Sequence, residues 1–296
     1  MNSEDREKAL SAGSQLHHFH GGLRLRHNKK ISCELPLAPA PLPPRLYVPM
    51  LQHSGLEAEP LVTVGDHVLK GARIGYYGIK EEMAVHAPTS GTIRLLARLP
   101  VSHPSGKPGL CVVIQPDGLD EWIQLNPIDN WNEADPALLR ERIRQAGIVG
   151  LGGAVFPTAI KVDDAHAQGI HTLILNGSEC EPYISCDEML MREQPGSIVL
   201  GARILQRAVG ATRTIIAIED QMGEVNKALK SAVKASGATE IDIVKVTTIY
   251  PEGGEKQLIQ VLTGLEVPSG GRPSSLGLLC QNVATATSVT HAVVEG

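Results

Sequence analysis

The rhythm of hydrophobic and polar positions changes along the chain. Between residues 60 and 115 the apolar runs are short and each ends at a turn signal. Residues 61–64 stop at Gly65-Asp66, 67–69 at Lys70-Gly71 and 84–88 at Thr89-Ser90-Gly91, and 92–96 follow at once. Turns at this density predict short strands in a small all-β module. After Trp131 the period lengthens. Asp135-Pro136 predicts a helix over 136–146, with Asp as the cap, Pro in the first turn and Gly147 as the stop. Strand-like runs at 171–175, 213–218 and 241–246 then alternate with helical patterns at 187–192, 197–209, 223–235 and 254–262. That alternation predicts an α/β layer on a largely parallel sheet.

The stretches outside these patterns look different. Residues 1–30 are polar, with His17, His18 and His20 beside Gly21-Gly22, and read as a flexible arm. Residues 36–49 contain Pro36, Pro39, Pro41, Pro43, Pro44 and Pro49 and read as an extended connector. The expected division is an arm over 1–30, a β module over 31–125 and an α/β domain over 126–296. A length of 296 residues fits about two domains at roughly 150 residues each.

Composition narrows the function classes. The net charge is -5 and aromatics make up 3%. Neither a basic stripe nor a set of stacking platforms is available, so no nucleic-acid partner is expected. No run of 18 or more residues is apolar enough to span a bilayer. Residues 1–10 are charged and do not resemble a secretory signal. The five cysteines, Cys33, Cys111, Cys180, Cys186 and Cys280, form no Cys-x-x-Cys pair. No self-contained metal or iron–sulfur site is expected from them.

Candidate chemistry begins at residues 147–161. Gly147, Gly150, Gly152 and Gly153 fall within seven residues, and Pro157 sits where a helix should begin. Such a loop lets backbone approach a ligand, and the free N–H groups of the following helix attract phosphate. Lys161, one turn in, adds a positive charge. The loop matches neither the Walker A nor the dinucleotide pattern, and a purely structural turn explains it as well. Asn176 through Pro182 directly follow a buried-type strand, where α/β sheets bind ligands; a solvated acidic loop is the alternative. Tyr250 through Gln257 and Gln281 through Thr285 are two further clusters, and Glu255 is also what a helix first turn favours.

Together these four clusters, in order and spacing, resemble the RnfC family, whose members belong to the Rnf (Rsx) electron transport complex. They are Gly152-Gly153-Ala154-Val155-Phe156-Pro157-Thr158, Asn176–Pro182, Tyr250–Gln257 and Asn282-Val283. The likeness runs from about Phe19 to the last residue. The same core is similar to the flavoprotein subunit of respiratory complex I, which binds FMN and oxidises NADH. Residues 64–68 and 86–93 resemble the barrel-sandwich hybrid fold of biotinyl and lipoyl domains. Lys80 is the local candidate for a carried cofactor, but Ile79 and Glu81 do not match the biotin motif, so the module reads as a docking or packing domain.

The resemblance implies a Rossmann-like α/β core binding FMN and NAD(H), preceded by a barrel-sandwich hybrid module. It implies a cofactor-binding set of Gly150, Gly152, Gly153, Ala154, Phe156, Thr158, Lys161, Asn176, Glu179, Glu181, Tyr250, Gly254, Glu255 and Asn282. Of these, the glycine loop and Lys161 would hold the FMN phosphate and ribityl chain, and Asn176 and Asn282 the flavin. Glu179 and Glu181 would line the nicotinamide side, and Phe156 would stack on the NADH adenine. These residues bind; none is expected to act as a catalytic acid or base, and no metal ligand is assigned. The implied setting is an ion-translocating complex that moves electrons between NADH and ferredoxin, with the chain on the cytoplasmic face of the inner membrane. Its partners would be the other Rnf complex proteins, namely the membrane subunits and the iron–sulfur protein RnfB. A soluble NADH:flavin diaphorase and a scaffold with a decayed flavin site are the alternatives.

The sequence departs from the pattern in several places. Val155 stands where the complex I loop has glycine, Leu151 where it has arginine, and Lys256 where it has an acid. Phe19 is the only phenylalanine besides Phe156. RnfC proteins continue into a ferredoxin-like domain whose Cys-x-x-Cys-x-x-Cys runs bind [4Fe–4S] clusters. Those runs are absent here, so the chain is expected to be a fragment or truncated product that holds no cluster.

Overall fold

The computed structural model describes residues 19–78, 83–103 and 105–296. His17, His18 and Lys80 lie outside the described residues. The chain forms two compact units, residues 39–160 with 291–296 and residues 1–38 with 161–290.

The first of these units contains β1 (Leu46–Pro49), β2 (Glu59–Pro60), β3 (His67–Val68), β4 (Arg73–Tyr77), β5 (Met83–His86), β6 (Gly91–Leu99) and β7 (Gly109–Pro116). One antiparallel sheet runs β1-β7-β6-β3 and a second runs β2-β4-β5. Val48, Met50, Ile74, Val85, Ile93, Val112 and Ile114 close the core between them. Alternation puts these residues inward and their neighbours outward. Residues 61–64, expected as a strand, lie outside the ladders. The Asp66 carboxylate accepts from the Thr63 N–H at 2.8 Å and the Thr63 hydroxyl at 3.1 Å, which folds 63–66 into a turn.

Helix α1 (Pro136–Gln145) also belongs to this unit. Its N-cap is Asp135, whose carboxylate accepts from Ala137 N–H at 2.8 Å, and Pro136 opens it, as the sequence indicates. The boundary expected near residue 125 falls inside this unit. Gly147 seats against the Ala84 carbonyl with no room for a side chain, and Ser54 N–H donates to the Val155 carbonyl at 3.1 Å. The glycine loop is thereby fastened to the β module.

The other unit holds a four-stranded sheet of β8 (Thr172–Gly177), β9 (Arg213–Glu219), β10 (Ile241–Val246) and β11 (Leu278–Asn282). Every pairing is parallel and the order is β10-β9-β8-β11. Helix α2 (Thr158–Ala167) precedes β8, and α3 (Cys186–Glu193) and α4 (Pro195–Val209) link β8 to β9. Helix α5 (Gly223–Ser236) links β9 to β10, α6 (Glu255–Thr263) leads towards β11, and α7 (Val283–Thr290) follows it. Leu258, Ile259 and Leu262 of α6 pack on Ile174, Ile215, Ala217 and Cys280 of one sheet face. Alternate residues point the other way, where Met191 of α3 lies against Gly177. A parallel sheet buried on both faces explains the continuous apolar runs of β8 and β9. Strand β11 and helix α7 register in the sequence only as a polar cluster, because the five-residue strand shows no alternation.

Residues 19–38 belong to this unit rather than to a free arm. Leu23 and Tyr250 exchange both backbone hydrogen bonds at 2.7 and 3.0 Å, Tyr183 N–H donates to the His27 carbonyl at 2.7 Å, and Leu37 N–H donates to the Glu193 carboxylate at 2.9 Å.

Helices α4 and α7 touch at Gly201. A side chain there would run into the Ala286 carbonyl and sit 2.9 Å from the Thr290 hydroxyl oxygen. Gly201→Ala is expected to lower stability by about 1–3 kcal/mol, measured by urea unfolding. An unchanged midpoint would contradict this packing.

Candidate functional site

Strand order fixes where the α/β unit can bind. The chain moves outward from β8 to β9 to β10, then returns to place β11 on the other side of β8. The order therefore reverses between β8 and β11, and the crevice beyond the carboxyl ends of such a pair is where open α/β sheets take ligands. The last residues in register there are Asn176 and Asn282, directly paired across β8 and β11. The sequence marks both as candidates.

Each amide is tethered. Asn176 Nδ2 donates to the Gly253 carbonyl at 2.8 Å and its Oδ1 accepts from Ser178 N–H at 3.0 Å. Asn282 Oδ1 accepts from Ala284 N–H at 2.8 Å, capping α7, and its Nδ2 donates to Asp187 at 2.6 Å. Lys161 pairs with the Glu255 carboxylate and donates to the Cys280 carbonyl at 2.9 Å. Two more expected residues thus meet at this edge. Gly254 precedes α6 as its N-cap, and Tyr250 is exposed, with its backbone held by Leu23.

Glu179 is buried at the start of α3, where Ser185 makes no side-chain cap. Its Oε1 accepts from the Cys186 thiol and from Asp187 N–H, both at 3.1 Å, and its Oε2 from Glu188 N–H at 3.4 Å. A carboxylate is stabilised at the positive end of a helix. Lys29 is buried beside it, donating to the Glu179 carbonyl and lying 3.5 Å from Oε2. Glu179, Cys186 and Asp187 each place a ligand-type atom within 4.8 Å of the others. Lys29 and the helix N–H groups already serve this cluster, so its chemistry is that of a capped anion. Glu181, two residues on, is exposed.

Further carboxylates crowd the same edge. Burial, and then the Glu179 charge, raise Asp187 to about 6, against a bond from Asn282 that favours its ionised form. Burial raises Glu219, at the end of β9, to about 7, with Lys29 opposing. Burial and the Glu219 charge raise Glu252 to about 7. Sequence reasoning assigns no role to Lys29, Asp187, Glu219 or Glu252. Glu219 carries the same signal as Asn176, a polar residue closing a buried strand. Lys29, beside Asn28 and Lys30, looks like an ordinary surface residue.

The glycine loop belongs to the other unit. Val149 and Pro157 form an antiparallel bridge, Gly150 N–H donates to the Phe156 carbonyl at 2.8 Å and Thr158 N–H to the Ile148 carbonyl at 2.9 Å. Gly152, Gly153, Ala154 and Val155 are exposed at its tip, and Phe156 is half-buried. Gly153 has φ 102° and Val155 has φ 43°. The left-handed region is costly for a β-branched residue. The glycine of the complex I pattern at this position is therefore what the backbone prefers, and Val155 holds the turn under strain. The Thr158 hydroxyl, at the start of α2, is buried without a hydrogen-bond partner among the described residues.

Comparison with known proteins agrees with this geometry. Residues 143–291 match the Nuo51 FMN-binding domain, and residues 17–119 match the RnfC barrel sandwich hybrid domain. The chain belongs to the Nuo51 FMN-binding family. The RnfC-type component of an ion-translocating oxidoreductase complex from Pseudomonas aeruginosa is 47% identical over 283 residues, 96% of this chain and 36% of its own length. Its counterpart from Haemophilus influenzae strain 86-028NP is 45% identical over 277 residues, 94% of this chain and 41% of its own. That from Pasteurella multocida is 44% identical, over 94% of this chain and 33% of its own. The chain thus spans well under half the length of these relatives. A solved chain of an NAD+-reducing [NiFe]-hydrogenase aligns over 56% of this chain and 33% of its own, at 26% identity and TM-score 0.49; a score at that level carries no argument. The resemblance to the RnfC family is borne out, as is an FMN-binding domain preceded by a barrel-sandwich module.

The raised acids make stability depend on pH. Glu219 and Glu252 take up protons in the folded state at pH values where the unfolded chain, near its ordinary 4.5, has released them. Stability is then greatest below about 4.5 for these two groups and falls as pH rises through about 7. Urea unfolding is expected to show a loss on the order of 1–3 kcal/mol between pH 5 and pH 8. A gain over that interval would contradict the burial of these groups.

Proposed function

We propose that this chain is the FMN- and NADH-binding part of a subunit of an ion-translocating electron transport complex of the Rnf type. Its role is to pass electrons between nicotinamide and iron–sulfur carriers. The observation that carries this reading is the pairing of Asn176 with Asn282 at the point where the strand order reverses. On this reading the α/β layer is Rossmann-like.

The residues present suit FMN. The tip of the glycine loop has no side chain larger than a methyl group at 152–154, and the start of α2 keeps an unpartnered hydroxyl at Thr158. Gly150, Gly152, Gly153, Ala154, Thr158 and Lys161 are assigned to the phosphate and ribityl chain. Asn176 and Asn282, each fixed by two neighbours, present amide groups that do not need to be ordered on binding. Bound FMN supplies a carrier that accepts a hydride and releases single electrons. Hydride transfer needs reacting atoms about 3–3.5 Å apart, so the protein's contribution is orientation and exclusion of water. Glu181 is assigned to the nicotinamide side. Glu179 acts there through the capped start of α3, and Phe156 is assigned to the adenine. Tyr250, Gly254 and Glu255 frame the same edge, with Glu255 orienting Lys161.

The β module, over 31–125, serves docking or packing, and 126–296 carries the cofactor function. The proposed partners are the other Rnf complex proteins, the membrane subunits and the iron–sulfur protein RnfB, with the chain peripheral on the cytoplasmic face of the inner membrane. Among the described residues no helix is long and apolar enough to cross a membrane. The [4Fe–4S] clusters belong to parts of the longer relatives beyond this sequence.

Anaerobic addition of NADH to the FMN-loaded chain tests the proposal. Bleaching of the flavin absorbance is expected; flavin that binds but stays oxidised would favour a docking scaffold. Lys161→Ala is expected to weaken FMN binding by roughly 1.5–3 kcal/mol, the range of a charge-assisted hydrogen bond. A loss of thermal stability with unchanged FMN affinity would instead make Lys161 a partner for Glu255 alone. Glu181→Gln is expected to slow reduction by NADH more than it weakens FMN retention. Equal losses would remove Glu181 from the nicotinamide side.

A further inference from the structure

Two glutamates at the sheet edge have no role in the scheme above. Glu219 closes β9 and Glu252 precedes α6, and both side chains are fully buried. Glu219 Oε2 accepts from Gln221 at 2.9 Å, but its Oε1 and both Glu252 oxygens accept no hydrogen bond among the described residues. The buried Ser178 hydroxyl, likewise unpartnered, lies on the loop packed against Gly253, next to Glu252. A buried carboxylate that accepts nothing is tolerated only in its neutral form.

The surroundings point the same way. The charged groups acting on Glu219 are Lys29 from the N-terminal segment, Glu179 from the loop after β8 and Glu188 from α3. Glu219 itself acts on Glu252. One ammonium faces several acids, and Lys29 is already bound to Glu179. The single cation cannot balance two further charges.

We propose that Glu219 and Glu252 form a proton-exchange site at the carboxyl edge of the sheet, with Lys29 as the cation that sets its charge. The ligand is the proton. Each exchange makes or breaks one carboxyl O–H bond, with water as the other partner, and no electron moves. Pro251 and Gly254, flanking Glu252, are exposed and give water a short approach. Lys29 is a positioning residue here. Segment 19–38 therefore does more than brace the unit: it carries the counter-ion of this pair. The site stands whether or not FMN binds.

Infrared titration of the intact chain tests this through the C=O stretch of protonated carboxyl groups, followed from about pH 5 to about pH 9. The wild type is expected to keep protonated carboxyl signal at pH 6 and lose it around neutrality. In Glu252→Gln or Glu219→Gln the remaining signal is expected to titrate at lower pH, because a like-charged neighbour is gone. In Lys29→Met it is expected to move up by roughly one unit. Asp187→Asn is expected to leave the band near neutrality in place. The wild-type curve decides the matter even where a variant fails to fold. A wild type with no protonated carboxyl above pH 6 would overturn the proposal. So would a band indifferent to both Glu→Gln changes, or one lost only in Asp187→Asn.

Discussion

Burying charge at the end of a parallel sheet is the constraint on which the α/β unit depends. All four strands run the same way, so their carboxyl ends gather at one edge. Asn176, Glu179, Glu219 and Asn282 all lie at or just beyond those ends. Water is largely excluded there, and each polar group has to find a partner or lose its charge. Asn176 and Asn282 are tied to neighbouring loops and helices, Glu179 is held by the start of α3 and by Lys29, and Glu219 and Glu252 are pushed towards neutrality. The result is a rim fixed before any ligand arrives.

The same constraint explains the N-terminal segment. Composition describes residues 1–30 as a polar arm, yet Lys29 supplies a buried cation that several acids require. The backbone pairing of Leu23 with Tyr250 and the contact of Leu37 with Glu193 fasten the segment on either side of that lysine. In the other unit the glycine loop is held in a comparable way, by Val149, Pro157 and Ser54. Its tip stays open, and its one bulky residue, Val155, adopts a backbone conformation that favours glycine.

Local pattern makes much of this legible. Period and caps locate α1, α4, α5 and β8 to β10 within a few residues, because each joins a clear apolar period to a strong stop such as Gly147, Gly210 or Gly237. Asn176, Lys161, Glu255 and Asn282 are legible because they directly follow or open regular elements. What local pattern hides is long-range. Residues 61–64 carry a strand's composition, but a single side chain, Asp66, turns them back. Lys29 lies 150 positions from Glu179, and nothing near it in the sequence marks it as buried. The pairing of β11 with β8, which brings Asn282 beside Asn176, follows from topology and not from any motif.

The central claim is that the rim and the glycine loop of this family member hold one flavin nucleotide. Equilibrium titration of the purified chain with FMN, read by flavin fluorescence, tests it most directly. The account predicts saturable binding of one FMN per chain, markedly weaker for riboflavin, which lacks the phosphate. Absence of saturable binding, or equal affinity for riboflavin, would contradict it.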